Sequence, residues 1–230
     1  MNWLITTPAL NVFEQMALDE TLVHTYTGGA FLRLYRWTSG PAVTFGYAQA
    51  VREVRAQAAP HSGPLCRRPT GGGMVFHTDD LTFSLLFQSA ARPSVIYQQL
   101  HSHIRAALTL SGVSSCLFNQ KLPASAYAPS RQHTANACFV NPVENDLLTS
   151  TGAKMLGGAI RRFGTTVLYQ GSVQLPGARH NPQLTQALIN GVRGFLAADL
   201  RVQALSPDVL SRARTLAHTQ YQTHTWTEKF

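Results

Sequence analysis

The sequence predicts an α+β fold in which helices cover one face of a sheet. The order of its segments is helix, strands, helix, strands, two helices, with no alternating βαβ pattern. The composition, 44% hydrophobic and 13% charged over 230 residues, supports a sizeable core and excludes a disordered chain. No internal repeat and no Pro- or Ser-rich linker divides the chain, so residues 1–230 read as one domain.

The elements follow in order. Asn11 is placed to cap a helix over 12–26, with Glu14 in capping-box register. Val12, Phe13, Met16, Ala17 and Val23 form its apolar stripe, and Asp19 and Glu20 are expected on a solvated face. Thr27-Gly28-Gly29 ends that helix. Residues 32–35 alternate as a strand, Ser39-Gly40-Pro41 turns, 42–47 read as a strand and 48–58 as a short helix. Met74–Phe76 and Leu81–Phe87 are strands on either side of Thr78-Asp79-Asp80. A second helix starts at Ser94, with Ile96, Leu100, Ile104 and Leu108 at four-residue spacing and Gly112 placed to stop it. Residues 119–137 hold two prolines, no acid and no periodicity, which reads as a mobile loop and a candidate lid. Ala137–Leu148 is strand-like apart from Pro142, and Thr165–Leu175 is a strand. Asn181-Pro182 and Ser206-Pro207 open the third and fourth helices.

Charge and cysteine usage narrow the function. The formal net charge is +8, almost all of it arginine; the lysines are Lys121, Lys154 and Lys229. A positive field favours acidic partners, and no nucleic-acid-binding module is recognisable. No apolar run reaches the roughly eighteen residues of a membrane span, and the N-terminus lacks a basic segment followed by an apolar one. Cys66, Cys116 and Cys138 are an odd number without C-x-x-C spacing. Free thiols in a cytoplasmic protein are the simplest reading.

Two glycine-rich stretches carry the candidate chemistry. Gly71-Gly72-Gly73 lies between Arg67-Arg68 and an apolar run ending at His77. By itself the triplet fits a bulge or turn, or a backbone cradle for a carboxylate, phosphate or acyl group. Lys154 sits in Gly152-Ala-Lys-Met-Leu-Gly-Gly-Ala-Ile160, where an ammonium could polarise a carbonyl or snorkel to water. Cys138 is either a small buried hydrophobe or a nucleophile activated by nearby cations. His77, Asp79 and Asp80 are weak evidence for a metal site, and none is expected. The dinucleotide fingerprint and the P-loop are absent.

Taken in order, these segments resemble one family. Phe13-Glu-Gln-Met-Ala-Leu-Asp-Glu20, Leu34-Tyr-Arg-Trp37, Pro41-Ala-Val-Thr-Phe-Gly-Tyr47, Arg67 to His77, Lys154-Met-Leu-Gly-Gly-Ala-Ile-Arg-Arg162 and Gln170-Gly-Ser172 are similar to motifs of the lipoate–protein ligase and octanoyltransferase family, relatives of biotin–protein ligases. The resemblance implies a central mixed, largely antiparallel sheet with flanking helices, and no C-terminal accessory domain. It implies transfer of an octanoyl or lipoyl group to a lipoyl-domain lysine. The acceptors would be acidic lipoyl domains of 2-oxoacid dehydrogenases or the glycine cleavage H protein. Carried over by position, Arg67, Arg68, Gly71, Gly72, Gly73 and His77 would line the acyl-carboxyl site. Lys154 would contact the reacting carbonyl, and Gly157, Gly158 and Ala159 would shape the same pocket.

The reaction type divides the family. A transferase would take the acyl group from acyl carrier protein onto a cysteine and need no cofactor. A ligase would need ATP and magnesium and pass through an acyl-adenylate. Cys138-Phe139 and Leu81-Thr-Phe-Ser84 resemble one transferase branch. Gly73, where that branch is expected to carry arginine, and Glu144-Asn-Asp-Leu147 resemble the ligases. A thioester on Cys138 is the leading expectation, with the ligase second and a non-catalytic lipoyl-domain-binding protein third.

Overall fold

The computed structural model describes residues 1–25, 28–38, 40–59, 61–120 and 142–230. The strands among them are β1 (Asn2–Thr6), β2 (Ala30–Leu34), β3 (Ala42–Phe45), β4 (Leu65–Arg67), β5 (Val75–His77), β6 (Leu81–Gln88), β7 (Ser115–Leu117), β8 (Leu147–Thr149), β9 (Lys154–Phe163), β10 (Thr166–Val173) and β11 (Arg201–Ala204). The helices are α1 (Val12–Thr25), α2 (Val51–Ala58), α3 (Pro93–Leu110), α4 (Pro182–Leu196), α5 (Pro207–Leu216, continued by a π-helical turn at Ala217–Tyr221) and α6 (His224–Thr227).

The strands form two sheets. The larger is mixed and runs β11-β1-β2-β6-β10-β9-β8-β7; the smaller runs β4-β3-β5. In the larger sheet β1 is parallel to β2 and β11, and the other pairs are antiparallel. The expected mixed, largely antiparallel sheet with flanking helices is present. One expectation needs correction: helices cover both faces of the larger sheet. On β6, Leu81, Phe83, Leu85 and Phe87 face the apolar stripes of α3 and α4, while Leu86 meets Leu18 and Leu22 of α1 and Ala213 of α5. The order of elements says which helices are neighbours in sequence and nothing about which face each takes.

Helix α1 lies between the sheets. Val12, Met16 and Ala17 pack with Ala42 and Cys66 of the smaller sheet, and Leu18 and Leu22 pack with Leu86 and Leu168 of the larger. Its start is the capping box the sequence predicts. Asn11 Oδ1 accepts the N–H of Phe13 and Glu14 at 3.0 Å, and Glu14 accepts the Asn11 N–H at 3.0 Å. Its middle differs from expectation. Asp19 is 1% exposed, because a helix between two sheets has no solvated flank there. Arg33 of β2 neutralises it at 2.5 Å, and Ser84 and Gln170 donate to the same carboxylate at 2.7 and 2.6 Å.

Candidate active site

A cleft of about 380 Å³, mouth included, opens between α1, the smaller sheet and strands β9 and β10. Met16, Val75 and Ala159 give it apolar wall; Arg68, His77 and Gln170 give it polar corners.

A bulge in β9 decides where Lys154 points. Leu147 pairs with Leu156, but Leu148 pairs with Lys154, so Met155 is an extra residue on β9. Regular alternation would put Lys154 on the same face as Leu156, among the side chains packed against α3. The extra residue moves it to the face of Gly157 and Ala159, which is the cleft face. There Lys154 Nζ meets Asp146 Oδ2 at 2.7 Å, with both side chains 2% exposed.

The two glycines of β9 have different tasks. A Cβ on Gly157 would lie 2.4 Å from Lys154 Cε and 2.7 Å from Nζ, so the bare backbone makes the seat of the ammonium. A Cβ on Gly158 would lie 2.3 Å from the Tyr169 ring on the opposite face. Beneath it Tyr169 Oη and His101 Nε2 are 2.7 Å apart, and His101 Nδ1 is 2.6 Å from the Asn145 carbonyl. Burial, with Lys154 nearby, lowers the His101 pKa to about 4 against the hydrogen bond to Asn145. The ring is neutral, so Nδ1–H donates to Asn145 and Nε2 accepts from Tyr169.

The glycine triplet lies beside the cleft, between the lining residues Arg68 and Val75. Gly72 has φ of 85°, and a Cβ there would lie 3.1 Å from Arg68 Nη2 and 3.7 Å from Ala159 Cβ. Gly71 and Gly73 accept from Arg68 Nη2 at 2.6 and 2.8 Å. Arg68 therefore folds the loop around its guanidinium. Its Nη1 donates to Thr44 Oγ1 at 3.1 Å, and Thr44 Oγ1 is 2.9 Å from His77 Nε2. His77 Nδ1 is 2.8 Å from Asp80 Oδ2, which also accepts from Thr82 at 2.7 Å and Ser172 at 2.6 Å. Burial alone would raise the Asp80 pKa. Charge and hydrogen bonding from His77, with the two hydroxyls, outweigh it and hold it at about 2.

Of the residues singled out in the sequence, Arg68, His77, Gly157, Gly158 and Ala159 line the cleft. Gly72 stands opposite Ala159, and Lys154 lies against Gly157. Arg67 is a correction. It is fully buried, does not line the cleft, and donates to the carbonyls of Tyr47, Gln49, Trp226 and Thr227 at 2.7–3.0 Å. It ties α6 to the segment after β3. Cys138, His133 and nearly all of the 119–137 segment lie outside the described residues. Among the described residues, Cys66 is buried with its thiol pKa pushed up by burial, Cys116 is exposed on β7, and no cluster of three or more His, Cys, Asp or Glu is placed to hold a metal ion. Sequence reasoning missed Thr44, Ser172, Asp146 and His101. Asp80, Asp146 and His101 had weak signals at most: an acid near His77, an acid before Lys154, a histidine next to Leu100.

Comparison with known proteins identifies the family and the fold. The family described as lipoyl protein ligase A/B catalytic domain matches residues 11–191. The octanoyltransferase LipM of Moorella thermoacetica is 31% identical over 178 residues, covering 75% of this chain and 64% of that protein. That of Oceanobacillus iheyensis is 33% identical over 170 residues, covering 70% and 59%. The matched stretch thus spans about three fifths of these relatives. Among solved structures, protein Ta0514 of T. acidophilum with bound lipoic acid superposes with a TM-score of 0.78 at 20% identity, covering all of both chains. A lipoate-protein ligase A bound with ATP gives 0.78 at 21%, covering 99% of each. No described helix is long and apolar enough to cross a membrane. The chain belongs to the lipoyl protein ligase A/B catalytic-domain family.

Proposed function

We propose that this chain is a lipoate-pathway acyltransferase that moves an octanoyl group from acyl carrier protein to the lysine of an acidic lipoyl domain. One observation carries the reading: an apolar-walled cleft lined by Arg68, His77, Gly157 and Ala159, with the buried Lys154 ammonium packed against Gly157. The LipM relatives support octanoyl transfer in particular.

In this reading the Cys138 thiolate attacks the donor thioester. A new thioester forms on Cys138 and the carrier leaves as a thiol. The acceptor amine then attacks that thioester, an amide forms, and Cys138 regains its proton. Lys154 stabilises the oxyanion that develops on the acyl carbonyl in both steps, an effect worth about 3 kcal/mol for one well-aimed donor. Met16, Val75 and Ala159 supply apolar contact for the acyl chain. The net charge of +8 suits an acidic acceptor and carrier. No nucleotide takes part, and the reduced thiol fits a cytoplasmic location.

The test is intact-mass measurement after incubation with octanoyl-acyl carrier protein and no ATP. An octanoyl adduct that disappears in Cys138→Ser is expected. No adduct, or acyl transfer that requires ATP and free lipoate, would replace this reading with the ligase.

A further inference from the structure

We infer that Asp146 is the positioning residue of Lys154: its carboxylate holds the ammonium charged and seated on Gly157, and His101 holds Asp146 in turn. The inference rests on the proposed role of Lys154 in carbonyl stabilisation.

Three observations lead to it. First, the bulge at Met155 delivers Lys154 to the cleft face but does not fix its flexible side chain. A lysine carries several rotatable bonds and loses much freedom when held. Asp146 Oδ2, 2.7 Å from Nζ, supplies the fixed end. Second, the carboxylate is itself held. The same oxygen accepts the Val143 N–H at 2.7 Å, Asp146 N–H donates to the Val143 carbonyl at 2.9 Å, and Phe118 N–H donates to the Asp146 carbonyl at 2.8 Å. Third, Asn145 has φ of 74°, a left-handed conformation uncommon outside glycine. The bond from neutral His101 to the Asn145 carbonyl, 2.6 Å, anchors that conformation to α3. A chain of contacts thus runs from α3 through His101, Asn145 and Asp146 to Lys154.

The arrangement has a consequence for charge. A buried ammonium without a carboxylate loses its proton readily. Burial raises the Asp146 pKa, and the Lys154 charge and hydrogen bond, with the Val143 N–H, oppose that rise. Among the described residues, the other titratable groups packed here are His101 and Tyr97 of α3 and Tyr169 of β10, none of them a carboxylate. They leave Asp146 as the described carboxylate that keeps Lys154 cationic.

The chain has three lysines, Lys121, Lys154 and Lys229, so isotope-labelled lysine gives a simple NMR titration of the full-length protein. In Asp146→Asn the Lys154 midpoint is expected to move down by about one pH unit or more. The kcat for transfer from octanoyl-acyl carrier protein to a lipoyl domain should fall about 30-fold or more, with KM for both proteins within about threefold of wild type. Asp146→Glu should restore the wild-type midpoint and part of kcat. An unchanged Lys154 midpoint in Asp146→Asn, a kcat within about threefold of wild type, or a Glu variant that behaves like Asn would overturn the inference. The midpoint is read without catalysis. If Lys154→Ala left transfer intact, the role of Lys154 would fail while the titration still decided whether Asp146 governs it.

Discussion

The two glycine-rich stretches meet where Gly72 approaches Ala159, and they do different things. In the loop, Gly71 and Gly73 offer carbonyls to Arg68, and Gly72 takes a left-handed backbone conformation. Glycine is there for what the backbone must do. In strand β9 neither glycine has positive φ; each leaves out a side chain so that a neighbour can occupy its space. One vacated space holds the Lys154 ammonium and the other holds the Tyr169 ring. Glycine content alone does not distinguish these uses. The direction in which the missing Cβ would point does.

Substitution at Gly157 should break the comparison most sharply. Gly157→Ala is expected to displace Lys154 and lower kcat about 100-fold, while the melting temperature changes little, because a flexible lysine can move aside. Transfer kinetics and calorimetry on the same sample check this; wild-type kcat would show that the seat is unimportant. The pH response separates the two regions next. His101 has a folded pKa near 4, below an unfolded value of about 6.5. The unfolded chain therefore binds the extra proton first, and stability present above pH of about 6.5 is lost as pH falls toward 4. The loss is up to about 3 kcal/mol. Urea unfolding of wild type and His101→Gln between these limits should show the slope in the former alone. Asp80, held at about 2, destabilises the loop region only as pH drops from about 4 through 2.

Gly158→Ala is expected to cost about 2 kcal/mol of stability through overpacking against Tyr169. Chemical denaturation would show it, with kcat falling less than in Gly157→Ala. The smallest effect belongs to Gly72→Ala. Its positive φ costs about 1 kcal/mol, and the contact with Arg68 should raise KM for the acyl donor a few-fold. A KM equal to wild type would mean that the loop does not border the acyl group.

Much of this was legible in the residues. Caps and four-residue spacing are local, and they located α1, α3 and α4 closely; Asn11 and Asn181 accept the N–H groups their positions predict. Strands β6 and β10 were legible as short, largely apolar runs bounded by turn residues, and both are buried on both faces. Strands β1, β4, β7 and β11 were not. Each is short, and β11 is exposed along its length, so pairing with a distant strand creates it. The same divide runs through the site. Arg68, His77 and Lys154 stand in motifs that suggest their chemistry; Asp146 and Ser172 stand in motifs and His101 in none, and only the register of separate strands and a helix brings these three to the site. Arg67 and Asp19 were misread for one reason. A charge in sequence looks solvated or functional, and only the fold shows that carbonyls or an opposite charge enclose it.

The extra residue in β9 makes the chemistry of this cleft a matter of parity. Deleting the single extra residue Met155 would leave the lysine and the glycine pair in place and send the amine into the opposite compartment, against α3. Motif matching that tolerates a gap at Met155 would accept such a chain as equivalent. A reading of related sequences should therefore count residues between the lysine and the glycine pair before it compares their identities.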